Sequence, residues 1–124
     1  MNWIIGIFLT LIVAIGIAIG LPYKPKTTLC WDPPTTNTDG TPLTDLAGYK
    51  AYSSQTSGNY TDAQGKDVGN VTCVNLEQTF GIQDGLYYYV VTAYNTAKIE
   101  SQFSNEDSNL VAKQSNAPKN TRTK

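Results

Sequence analysis

The apolar and polar positions of this 124-residue chain fall into two textures that meet at Pro22. From Trp3 to Leu21 run 19 residues without a charge, Thr10 being the one polar side chain among them. As a helix rising 1.5 Å per residue this run spans about 28 Å, close to the hydrocarbon thickness of a bilayer. The pattern predicts a transmembrane helix, with residues 1–21 as an anchor. Beyond Pro22 the texture changes to short alternating runs broken by Pro, Gly, Asn and Asp. Thr28–Asp32, Gly48–Ser54, Val71–Ile82, Leu86–Asn95 and Asp107–Ala112 read as strands. Pro33–Leu46, Gln55–Asn70, Gln83–Gly85 and Thr96–Glu106 read as the connections. No stretch after residue 22 keeps a helical apolar period. Residues 22–112 are therefore expected to form one antiparallel β-sandwich. Residues 113–124, basic, polar and without pattern, are expected to be a disordered tail.

The apolar run admits two readings. A cleavable signal peptide would carry a basic residue ahead of a shorter core. Met1-Asn2 has none, whereas Ala18-Ile19-Gly20 is a possible cleavage site. A retained anchor is the reading taken forward. Gly6, Thr10, Ala14 and Ala18 recur every four residues on one helical face, and Gly16 with Gly20 adds a GxxxG pair on another. Such small-residue faces let membrane helices approach closely. Lys24 and Lys26 follow the run and weakly favour keeping that end cytoplasmic; the cysteines argue for an exported domain.

Charge and composition narrow the chemistry. All ten carboxylates lie between Asp32 and Asp107, opposed there by Lys50, Lys66 and Lys98, so the folded part carries about −7 and repels nucleic-acid phosphates. Histidine is absent, which removes the commonest general base and transition-metal ligand. Two cysteines alone cannot complete a structural zinc site, and no phosphate-cradling or calcium loop is present. Asn37, Asp39 and Asp45 in the long first loop are ordinary turn chemistry. The reading is a non-enzymatic protein without cofactor or metal.

Five blocks carry a resemblance: Leu29-Cys-Trp-Asp-Pro-Pro34, Thr38-Asp-Gly-Thr-Pro-Leu43, Leu46-Ala-Gly-Tyr-Lys-Ala-Tyr52, Tyr87-Tyr-Tyr-Val-Val-Thr-Ala-Tyr94 and Glu100-Ser-Gln-Phe-Ser-Asn-Glu106. Together, over Lys26 to Ala112, they resemble the fibronectin type III family, in particular the modules of bacterial and phage surface proteins. The resemblance implies a seven-stranded sandwich with Trp31 as the core tryptophan of the second strand. Leu29 would point inward beside it and Tyr49 would fill the core from the third strand. Tyr87, Tyr89, Val91 and Ala93 would alternate inward on the sixth, with Tyr87 or Tyr88 in the family's tyrosine corner. Only Tyr23–Thr27 is left for the first strand.

Placed on that frame, Cys30 and Cys73 point off the outer face of neighbouring strands and read as a disulfide, two separate buried thiols being the alternative. On the other sheet Lys50, Tyr52, Tyr88, Val90, Thr92 and Tyr94 face outward. They form either a tyrosine-rich interaction surface or simple cross-strand packing. These features suggest a single-pass module with its sandwich on the periplasmic or extracellular side, or in a virion. It would contact lipid and other subunits of a larger membrane or envelope assembly through the helix, the tyrosine face, or both. The alternative is a virion or cell-surface recognition protein binding a glycan or a host protein.

Overall fold

The computed structural model describes residues 8–12, 26–81, 83–112 and 118–124. In chain order these form β1 (Phe8–Ile12), β2 (Thr28–Asp32), β3 (Leu46–Ser54), a 3-10 turn (Asp62–Gln64), β4 (Gly65–Gly69), β5 (Cys73–Asn75), α1 (Leu76–Phe80), β6 (Gly85–Asn95) and β7 (Asp107–Val111). The strands make a three-stranded sheet, β1-β2-β5, and a four-stranded sheet, β4-β3-β6-β7, antiparallel throughout. One core joins them, so the expected β-sandwich is present. Leu29, Trp31 and Leu76 come from the smaller sheet and its short helix; Tyr49, Ala51, Tyr89, Val91 and Ala93 come from the larger.

Period-two alternation builds that core. On β3 and β6 the inward positions pair across the ladder as Tyr49 with Ala93 and Ala51 with Val91, a large side chain opposite a small one or two mid-sized ones together. The space beside Ala93 lets Tyr49 lie inward, where the Trp31 ring meets it edge-on at 5.3 Å. Each such fully buried large side chain contributes about 1.5–3 kcal/mol of apolar transfer. Tyr87 is half-buried at the core's margin.

The disulfide Cys30–Cys73 is formed. The two residues face each other across β2 and β5, and the flanking Trp31 N–H to Thr72 carbonyl bond of 2.9 Å marks theirs as a non-hydrogen-bonded pair, where strands approach most closely.

Four elements differ from the sequence reading. Over Phe8–Ile12 the expected helix is replaced by a strand whose register puts Thr10 opposite Cys30. Among the described residues no helix is long and apolar enough to cross a membrane. The rest of the run, with Gly6, Ala14, Gly16, Ala18 and Gly20, lies outside the described residues. The expected first strand at Tyr23–Thr27 is not one over its described part: Lys26 and Thr27 belong to no strand. Lys26 is nonetheless clasped to β7, since the Asn109 side chain accepts from its N–H at 3.3 Å and donates to its carbonyl at 3.0 Å.

The third difference lies in Val71–Ile82. Its strand stops at Asn75, whose side chain accepts from the Gln78 N–H and starts α1; Gly81 ends the helix in the left-handed region at φ 62°. Leu76 and Phe80 are four apart, a spacing that shares a face in a helix and in a strand alike, so periodicity alone did not separate the two. Lastly, β4 occupies part of a segment expected to be loop. Its five residues, Gly-Lys-Asp-Val-Gly, carry a single apolar side chain and no alternation to read. Of the expected tail, residues 118–124 are exposed with no helix or strand, and 113–117 lie outside the described residues.

Candidate functional site

The six residues expected to form a tyrosine-rich surface do share the outer face of the four-stranded sheet. Lys50 and Tyr52 on β3 lie opposite Thr92 and Val90 on β6, with Tyr88 and Tyr94 to either side. The face is not open, however. Tyr52, Val90, Thr92 and Tyr94 are all buried, and only Lys50 and Tyr88 are part-exposed. A second layer covers them.

That layer has two parts. The first is the loop after β3. Ser57 and Tyr60 donate their hydroxyls to the Glu106 carboxylate, and the Gly58 N–H joins them at 2.8 Å, which folds the loop back over the sheet. The second is the connection from β6 to β7. Ser101 and Ser104 each bond β6 twice. The Ser101 N–H donates to the Ala93 carbonyl and the Ala93 N–H to Ser101 Oγ; Ser104 repeats this pattern with Val91. Two residues, Gln102 and Phe103, lie between the two serines, but only Thr92 lies between Val91 and Ala93. The extra residue makes a bulge that pushes Gln102 and Phe103 off the ladder. Phe103 ends half-exposed, at 50%, with its ring 5.2 Å from Tyr52 and 5.5 Å from Tyr60.

Carboxylates pin the tyrosines beneath. Glu100 accepts from the Lys50 ammonium, from Tyr52 Oη at 2.8 Å and from Thr92 Oγ1 at 3.1 Å. Burial alone would raise its pKa, but those three donors outweigh it and hold the carboxyl below its ordinary range. Tyr52 is pushed up to about 12, by burial first and then by its hydrogen bond to Glu100 and that carboxylate's charge. Tyr94 donates to Asp67 at 2.9 Å, and the Lys98 ammonium sits 4.7 Å from the centre of its ring. The rings also need glycine beside them. A Cβ on Gly65 would come within 2.8 Å of the Tyr52 ring, and one on Gly48 within 2.4 Å of Tyr94 Oη.

Between these parts a groove of about 540 Å3 opens to solvent. Tyr52 and Thr92 line its interior with Glu100 and Ser101, and Asp62, Gln102 and Phe103 complete the lining. Phe103, Gln102 and Asp62 were not singled out from the sequence. The signal for Phe103 was present as Ser-Gln-Phe-Ser, two serines flanking an amide and an aromatic residue, but its meaning depends on the bulge. Among the described residues no three His, Cys, Asp or Glu side chains converge as metal ligands, and both cysteines are consumed by the disulfide. Compared with known families, characterised proteins and solved structures, the chain matches none.

Proposed function

We propose that the chain is a non-catalytic interaction module of fibronectin type III type that docks onto a larger membrane or envelope assembly through the Phe103 groove. The carrying observation is Phe103 itself. A large apolar side chain is held half in water at the mouth of a groove, braced by two rings whose hydroxyls are fixed by Glu100 and Glu106. Rigid aromatic anchors of this kind dominate protein interfaces because little side-chain entropy is left to lose on binding. The family assignment is supported by the five sequence blocks, by Trp31 in the core and by two antiparallel sheets packed on that core.

Attachment to a membrane on the exported side is part of the same proposal, supported by the uncharged run Trp3–Leu21 and by a disulfide suited to an oxidising compartment. It implies a second use for β1. A bilayer-spanning helix over residues 3–21 takes Phe8–Ile12 off β2, so the inserted form and the strand-paired form are alternatives.

The test is recovery of the full-length chain from its native membrane in mild detergent, comparing wild type with Phe103→Ser. We expect a partner that co-purifies in fixed stoichiometry with wild type and is lost from the variant, with disulfide and melting temperature unchanged. Equal recovery from both would remove Phe103 as the docking residue. Release of the chain from membranes by alkaline carbonate would remove the anchor.

A further inference from the structure

A second groove, of about 600 Å3, lies where the end of β3 and the loop after it meet β4 and the end of α1. It shares no residue with the Phe103 groove. Its polar lining includes Ser53, Gln55, Thr56, Asn59, Gln64 and Lys66, and Phe80 and Tyr87 supply ring surface. None of the ten carboxylates of this acidic domain lines it. The Lys66 ammonium makes no hydrogen bond or ion pair among the described residues. The Gln64 carbonyl oxygen is engaged by the Thr61 N–H, which turns its amide NH2 into a free donor.

We propose that this groove binds an acidic saccharide, a hydroxyl-rich ring bearing a carboxylate. Hydroxyls and amides that both donate and accept match sugar hydroxyls. Aromatic rings at the wall take the C–H face of a pyranose. The unpaired ammonium, in a groove that no carboxylate lines, selects a negative group. The Phe103 groove has the opposite character, since Asp62 and Glu100 line it and repel such a ligand. The inference does not rest on the partner proposed for Phe103.

The test is amide-resolved NMR of the full-length chain in detergent, titrated with sialyllactose and digalacturonate, with lactose as the neutral counterpart. We expect shifts confined to residues 53–59, 63–66 and 80–81, with acidic ligands bound at least about tenfold more tightly than lactose. Lys66→Glu should weaken binding by about tenfold or more while Lys66→Arg retains it. Lys66 is exposed, so both variants should keep the wild-type spectrum elsewhere. Asn59→Ala is a second probe of the same groove and should weaken both acidic and neutral ligands. No shifts up to about 10 mM, well above the affinity of even a weak ligand, would overturn the proposal. So would equal binding of lactose, or shifts centred on Phe103.

Discussion

The two faces of the β3–β6 sheet are both rich in tyrosine, yet they treat the hydroxyl group in opposite ways. On the inner face Tyr49 Oη, Tyr89 Oη and Trp31 Nε1 are buried with no hydrogen-bond partner among the described residues. On the outer face the hydroxyls of Tyr52, Tyr60 and Tyr94 each reach a carboxylate, on Glu100, Glu106 and Asp67. Inside, the rings contribute apolar area and the hydroxyls cost desolvation. Outside, the ring covers a neighbour and the hydroxyl locates it. The inner face is therefore held by packing between sheets, and the outer face by charge-assisted bonds over a single sheet.

The largest expected effect asks whether these are separate units. Replacing both cysteines by serine releases the 43-residue separation that the disulfide closes. By chain-entropy reasoning it costs about 4 kcal/mol. The outer layer rests on a sheet that the inner core stabilises, so the variant should still melt in one transition, with tyrosine near-ultraviolet dichroism and tryptophan fluorescence coinciding. A tyrosine signal that outlasts the tryptophan signal would mean the faces unfold independently.

Next in size is the removal of one pin. Glu100→Ala leaves Lys50, Tyr52 and Thr92 without their shared acceptor and should cost about 1–3 kcal/mol in urea unfolding. A paired hydroxyl deletion sharpens the contrast further. Tyr52→Phe should lose about 1 kcal/mol, whereas Tyr49→Phe should be neutral or slightly stabilising, since its hydroxyl has no bond to lose. Equal losses at the two positions would break the comparison.

How much of this was legible in the sequence divides along the same line. Leu29, Trp31, Tyr49, Tyr89, Val91 and Ala93 were placed inward by the family resemblance, with alternation adding which neighbours share their face, because period two is a local property of a strand. The facing of Cys30 followed from the same alternation, whereas that of Cys73 was counted back through Leu76–Phe80, which form α1, and reached the right face without a continuous strand beneath the count. Alternation also assigned Tyr52, Val90, Thr92 and Tyr94 to the outer face, but it carries no information about what covers that face. The cover comes from Tyr60, Glu106, Glu100 and Phe103, which reach the sheet from loops, through a bulge and a set of carboxylate bonds with no period. The N-terminal run differs in another way. Hydropathy registers only that its residues are apolar and not which element they form, and over Phe8–Ile12 the backbone pairs with β2 as a strand.

The smallest effect has a definite sign. Glu106 is held below its ordinary value by the Ser57 and Tyr60 hydroxyls, and Asp67 by the Gly69 N–H and Tyr94. Glu100 is lowered as well, its donors outweighing burial. A carboxyl whose folded pKa is depressed contributes stability that is fully present above its unfolded pKa and fades as pH falls through the folded value. The acid limb should therefore decline below about pH 4.5, the ordinary glutamate value. Glu100→Gln with Glu106→Gln should flatten it. At the other end Tyr52, raised to about 12, favours the protonated folded form, so its contribution is complete below about pH 10 and declines as pH rises toward 12. Tyr52→Phe should remove that part of the alkaline decline and leave the acid limb standing on Glu106 and Asp67. If Tyr49→Phe flattened the acid limb as much as the outer-face variants do, the carboxylate pins would not be what holds the outer tyrosines, and the distinction between the faces would fall with them.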